Sequence, residues 1–170
     1  MKKFALAALL SLPMAVLADP APFGLEIGKD TIKEVKTKYR ITHTGINKYS
    51  MGDMFSVDTS QINFDGLQEV TLIFSKEGVL LAVLTSLPKH KFEDLMDSLG
   101  SKYKLVSKQI PFVGNKSAKF MHENTEITLD APHLSFDMSM NYVNNDLLKA
   151  FNEQSSQEQE QKQKREASQL

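Results

Sequence analysis

Apolar and polar residues alternate strictly along residues 134–142, with Leu134, Phe136, Met138, Met140 and Tyr142 on one parity and Ser135, Asp137, Ser139 and Asn141 on the other. A period of two places the two sets on opposite faces of a strand, so the stretch predicts a strand with one buried and one wet face. An isolated strand satisfies neither its backbone nor its apolar row, which implies an antiparallel sheet packed by one side. The apolar parity, Phe136 included, is expected in the core, and Ser135, Asp137, Ser139 and Asn141 are expected in solvent.

Helical spacing appears twice. Thr31, Ile32, Lys33 and Glu34 form a Ser/Thr-x-x-Glu capping box, and Ile32, Val35 and Tyr39 follow on one face, which predicts a helix over about residues 31–38. Phe92, Leu95, Met96, Leu99 and Tyr103 recur at helical intervals behind Pro88, a residue tolerated in a first turn, so a second helix is expected to open at Pro88 and to end near Gly100. Strand patterns lie between and after these helices. Two short strands are expected in residues 41–57. A hairpin follows in which Val70, Leu72 and Phe74 alternate with Glu69, Thr71 and Ile73, turn at Lys76, Glu77 and Gly78, and return over residues 79–84. The return strand is apolar on both parities and is expected inside the sheet. Three further strands, over about residues 104–110, 117–122 and 125–129, lead to residues 134–142. Ahead of everything, Phe23, Leu25 and Ile27 alternate with Gly24 and Glu26, as an edge strand or as a segment docked on the core.

Residues 28–87 and 88–142 therefore each read as a helix followed by about four strands, and each helix is followed by a Lys-Tyr pair, Lys38 with Tyr39 and Lys102 with Tyr103. The expected architecture is α+β and two-layer: a tandem repeat of helix plus about four strands forming an antiparallel sheet covered on one face by helices. The expected single domain spans residues 19–152 and closes with a short C-terminal helix over about residues 144–152, capped by Asn144 or Asn145 and touching the core through Leu147, Leu148 and Phe151. Residues 153–170 are Gln, Glu, Lys and Ser with hardly a hydrophobe, a composition that leaves a tail either disordered or drawn out as a solvated helix.

The start of the chain changes the picture of where this domain works. Lys2 and Lys3 precede an uncharged apolar run over residues 4–17, broken by Pro13 and ending in the small-residue pattern Val16, Leu17, Ala18 before Asp19. A bilayer span needs about 20 apolar residues, so residues 1–18 read as a signal peptide cleaved after Ala18. The expected location is periplasmic or secreted. The 170 residues include no cysteine, which removes disulfides and the acceptor for a lipid anchor. Removing Lys2 and Lys3 from the 20 basic residues leaves 18 against 21 acidic, a balance that offers nothing to nucleic acid.

Ile27, Gly28, Thr31 and Val35, spaced Gly-x-x-Thr-x-x-x-Val, resemble the Gly-x-Thr-x-x-x-Val helix opening of the small outer-membrane assembly lipoproteins (SmpA/OmlA-like). The duplicated helix-plus-sheet layout is similar to the β-lactamase inhibitor protein fold, which those lipoproteins also resemble. The chain departs from them in lacking the lipid-bearing Cys and the Gly-x-Pro that follows their first helix. The resemblance implies a periplasmic or secreted module that binds another protein with its exposed sheet surface, and it implies no chemistry.

Candidate chemistry is sparse. His133, Ser135 and Asp137 share one strand parity, but i and i+2 side chains stand about 6.6 Å apart on a strand, whereas members of a triad need contacts of about 3 Å. No Gly-x-Ser-x-Gly elbow accompanies Ser135. His43, His90, His122 and His133 lack the His-x-His or His-x-x-x-His spacing that brings two nitrogens to one metal, although His122, Glu123 and Asp130 have a route to convergence through a hairpin. Met138 and Met140 read as core filler, and the lysines around residues 33–38 and 102–108 as solvated surface. No catalytic residue, metal or cofactor is expected. The leading expectation is a soluble, non-enzymatic interaction module of the cell envelope, without a membrane anchor, that binds a protein partner through Ser135, Asp137, Ser139 and Asn141. The alternative is a carrier holding a small apolar or amphiphilic ligand between helices and sheet beside Phe136, Met138, Phe92 and Met96.

Overall fold

The computed structural model describes residues 19–169, so the expected leader, residues 1–18, lies outside the described residues. Thr31 caps the first helix as its sequence requires: its backbone N–H and hydroxyl donate to Glu34 Oε2 at 2.7 and 2.8 Å, and the Glu34 N–H donates back to Thr31 Oγ1 at 3.4 Å. Helix α1 runs Ile32–Lys38 and presses Val35 into the core. Strands β1 (Ile41–Ile46), β2 (Met51–Val57), β3 (Glu69–Ser75) and β4 (Leu80–Pro88) follow. Then come helix α2 (Phe92–Gly100), strands β5 (Lys104–Gln109), β6 (Lys116–His122), β7 (Thr125–Ala131) and β8 (Asp137–Asn144), and helix α3 (Asn145–Ala167).

The strands make one eight-stranded antiparallel sheet in the order β1-β2-β3-β4-β8-β7-β6-β5. Each run of four is a meander, and the last strands of the two runs pair at the centre, from Ala82 opposite Val143 to Pro88 opposite Asp137. The doubly apolar return strand is thus the innermost strand of its meander, as its composition predicts. Its turn needs Gly78, whose φ of +82° is a left-handed conformation open to glycine at no steric cost. Gly52 is required for a different reason: a Cβ there would stand 2.2 Å from the Phe74 carbonyl oxygen, inside any tolerable contact.

One face of the sheet carries Phe55, Leu72, Phe74, Val83, Phe120, Ile127, Leu129, Met138, Met140 and Tyr142, in a single cluster with Val35 of α1 and Phe92 and Leu99 of α2. Leu25 and Ile27 are fully buried in that cluster, so the lead-in docks on the core instead of adding a strand. Helix α3 lies on the opposite face, where Leu147 packs with Ile73 and Ala82 and against Val143. The sheet is therefore met by helix on both faces, not on one. The reason is local: β8 ends at Asn144, whose side chain caps α3 by accepting from the Asp146 N–H at 2.9 Å, and the chain turns toward the side on which Val143 points. Helix α3 also continues far past residue 152, mostly exposed from there on, which is the solvated-helix form of the tail, held by Tyr49 against Phe151 and by an ion pair of Lys48 with Glu158 at 3.1 Å.

Two boundaries differ from those expected. Pro88 does not open α2: it is the last residue of β4, extended at φ −62° and ψ 135°, and a 3-10 turn over Lys89–Lys91 intervenes before the helix. The 134–142 pattern overreaches its strand. Its parity holds from Met138 to Tyr142, but Leu134 is 94% exposed and Phe136 93% exposed, in the loop between β7 and β8. The β7–β8 ladder ends at Asp130 opposite Ser139, and Pro132 begins a turn in which the Ser135 N–H reaches the Pro132 carbonyl at 3.2 Å. Residues 132–136 consequently have no strand partner on that side, and alternation without a ladder buries nothing.

Candidate functional site

Cross-strand register turns the outer face of the sheet into rows. One row runs Thr42, Ser56, Thr71, Leu84, Asn141, Thr128, Lys119 and Ser107 from edge to edge. The next runs Glu69, Ser86, Ser139, Asp130, Ser117 and Gln109. None of these residues is buried. The third row, Met54, Ile73, Ala82 and Val143, lies beneath the first turns of α3, and the groove of about 390 Å³ beside it is lined by Leu147 and Phe151 and reaches Leu84 and Asn141 of the first row. The outer face is thus split into an apolar strip under α3 and a broad hydroxyl- and amide-bearing strip open to water.

Of the four residues expected to form a binding face, Asp137 and Ser139 are on the open strip, and Asn141 shares their face at its border with the groove under α3. Asp137 accepts from Gln68 Nε2 at 3.0 Å, and Gln68 Oε1 accepts from the Ser86 hydroxyl at 3.0 Å, a chain that links β8 to β4 through the start of β3. Asn141 accepts from the Thr85 N–H at 3.3 Å and donates to Ser139 Oγ at 3.4 Å. Ser135 is not on this face: it sits in the β7–β8 loop, its hydroxyl oxygen accepting from the Asp137 N–H at 3.0 Å.

The polar sets considered for chemistry separate. His133 is in the same loop as Ser135, its backbone N–H bonded to Asn115 Oδ1 at 2.8 Å, while Asp137 is engaged with Gln68. His122 and Asp130 stand at opposite ends of the β6–β7 hairpin, His122 opposite Thr125 and Asp130 opposite Ser117, so they do not converge. His43 pairs with Asp53 at 3.0 Å and edges onto Phe55. Among the described residues, no group of three or more His, Asp or Glu side chains is placed to hold a metal ion.

The inner face carries a cavity of about 420 Å³. Met140 and Tyr142 of β8 form its floor, Leu95 and Leu99 of α2 one wall, and Phe23 and Phe64 the other. Phe23 and Phe64 meet edge to face at 5.5 Å, and the Tyr39 hydroxyl fixes the lead-in by donating to the Phe23 carbonyl at 2.7 Å. Burial pushes the Tyr142 phenol well above its ordinary pKa, with the neighbouring Tyr103 adding to the shift, and burial also raises Tyr103. This cavity is not where the carrier reading puts it. Phe136 projects from a loop into solvent, Met138 and Phe92 are packed inside the core, and Met96 lies outside the lining. The overlooked lining residues had a sequence signal: the Lys-Tyr pairs that follow the two helices bring Tyr39 and Tyr103 to the same cavity, together with Lys102.

No family model, no curated protein and no solved structure matches this chain.

Proposed function

We propose that this chain is an exported, periplasmic, non-enzymatic module that binds another protein of the cell envelope through the open strip of its sheet. In the same reading, its two halves are a tandem duplication, with α1 and α2 layered over the face opposite the binding surface. The order β1-β2-β3-β4-β8-β7-β6-β5 supports the duplication, since two four-strand meanders, each preceded by one helix, meet at equivalent strands. The absence of any helix long and apolar enough to cross a membrane, among the described residues, is consistent with an exported chain without such a span.

The observation that carries the binding reading is a pair of unburied rows, polar except for Leu84, one crossing all eight strands and the other running from β3 to β5. An extended surface of Ser, Thr, Asn and Asp offers donors and acceptors across several strands without the contiguous apolar area that drives self-association. Photo-crosslinking in the periplasm tests it, with the reactive residue placed at Thr71 or Thr128 on the open strip and at Lys33 on exposed α1 as a control. A discrete adduct is expected from the first two positions only, and Ser139→Arg is expected to abolish it while leaving the thermal melt unchanged. Adducts that form equally at Lys33, or that survive Ser139→Arg, would show that the strip is merely solvated. N-terminal sequencing of the exported protein tests the location, with Asp19 as the expected first residue.

The inner cavity supports a second reading, carriage of a small amphiphile. The two differ in a simple observable, because a carrier binds a small molecule saturably in the absence of any other protein.

A further inference from the structure

The floor of the inner cavity contains a donor with no adequate acceptor. Tyr142 is 5% exposed, yet among the described residues its hydroxyl meets only the Met140 sulfur, at 3.9 Å. Buried phenols ordinarily find an oxygen or nitrogen partner, and a thioether is a weak acceptor. Tyr103 lines the same cavity with its ring edge-on to His122 at 5.4 Å, and burial keeps both phenols protonated. Among the described residues, the charged group on the lining is Lys102, and no carboxylate lines it. Two phenols and one lysine thus line a chamber whose other lining mixes Phe23, Phe64, Leu95 and Leu99 with Asn63 and Ser98, and whose volume falls within the range of small-molecule sites.

We infer that this cavity binds a small monocarboxylic acid with an apolar body, its carboxylate accepting from Tyr142 and Tyr103 and pairing with Lys102. The inference rests on the carrier reading and names its ligand class. A cationic ligand would find no counter-charge. A phosphate dianion would bring more charge than one lysine balances, at a desolvation cost that a partly apolar chamber does not offset. A purely apolar ligand would leave the Tyr142 hydroxyl with the weakly accepting Met140 sulfur as its partner. An alkyl or aryl carboxylate meets each demand: its tail replaces water against Phe23, Phe64, Leu95 and Leu99, and its two oxygens accept from the phenols. The outer face of the sheet takes no part, so binding here is independent of any protein docked there.

Octanoate is the probe, with octylamine as the charge-reversed control and methyl octanoate as the neutral one, each titrated into the full exported chain by calorimetry and by amide chemical shifts. Octanoate is expected to bind saturably, about tenfold or more tighter than either control, the difference that hydrogen bonds to a charged group supply. Tyr142→Phe is expected to weaken octanoate about tenfold. Lys102→Glu alters an exposed residue, so it carries the test even if Tyr142→Phe melts early; it is expected to weaken octanoate and to narrow the gap to octylamine. Equal affinity for octanoate and its methyl ester, or an octanoate affinity indifferent to both substitutions, overturns the carboxylate assignment while leaving a carrier of neutral ligands. If none of the three probes moves the resonances of Leu99, Tyr103 and Tyr142, the cavity holds only water, and the carrier reading falls with it.

Discussion

Phe136→Ala and Met138→Ala, two residues apart on one sequence parity, are expected to differ in cost by several-fold. Phe136 is 93% exposed, so its truncation forfeits about 7% of a side chain that buries roughly 200 Å² when fully covered. At about 25 cal/mol per Å², that is about 0.4 kcal/mol, within the usual range for a surface change. Nor does the loop depend on the ring, since the Phe136 carbonyl is held by the Lys89 N–H at 2.8 Å whatever the side chain. Met138 is 3% exposed and sits opposite Leu87 in the central pair of strands. Emptying its site costs about 2 to 5 kcal/mol, the transfer term plus the cavity left in a packed core. Urea unfolding followed by circular dichroism reads the difference directly. With a slope of about 1 to 3 kcal/mol per molar, Met138→Ala is expected to lower the midpoint by about 1 M or more and Phe136→Ala by a few tenths at most. Equal losses from the two variants would refute the reasoning, because they would mean that the ladder extends back to residue 134 and that the whole apolar parity is inside.

Gly52→Ala is expected to cost about 3 kcal/mol or more in the same assay, because the added Cβ meets the backbone of β3 at 2.2 Å and neither strand can give way without breaking pairs. A chain ending at Asn152 keeps Leu147 and Phe151 and loses only exposed helix with the Lys48–Glu158 pair, so its melting temperature is expected to fall little, whereas Leu147→Ala costs about 2 to 4 kcal/mol. Glu34 has its carboxyl held below the ordinary value, first by the Thr31 backbone N–H and then by the Thr31 hydroxyl. The native state therefore binds that proton less tightly than the unfolded chain does; the stabilisation is complete above the unfolded pKa and is lost as pH falls through the lower native one. Glu34→Gln is expected to flatten the acid side of the stability–pH curve, and an unchanged slope would mean that the charge of the Glu34 carboxylate contributes nothing.

Local chemistry was legible wherever neighbours in sequence are also the interacting partners. Thr31 and Glu34 announce α1 because a capping box closes within four residues, and Phe92 with Leu99 marks the inward stripe of α2 because helical periodicity is a property of the segment itself. The β3–β4 hairpin was equally readable, since Gly78 fixes its turn and the doubly apolar β4 fixes its interior place. Asp137, Ser139 and Asn141 share one face of β8, as their alternation predicts, because parity survives whatever pairs alongside.

Where that strand begins was decided by tertiary structure. Leu134 and Phe136 carry the right alternation, but burial requires a ladder and a covering layer, and Pro132 diverts the chain before β7 can supply one. The same holds for the side on which α3 lies: its weakly apolar start fits either face, and only the direction in which Val143 leaves the sheet sends Leu147 onto Ile73 and Ala82. Alternation says that a strand has two faces and cannot say which of them another element covers. The cavity is the furthest from local reading, because Phe23, Tyr39, Phe64, Tyr103 and Tyr142 converge from five separate segments of the chain. The sequence determined what each segment becomes, since periodicity and capping act within a few residues; the pairing of β4 with β8, the open polar strip and the chamber beneath α2 were settled by contacts between distant segments, which no local pattern encodes.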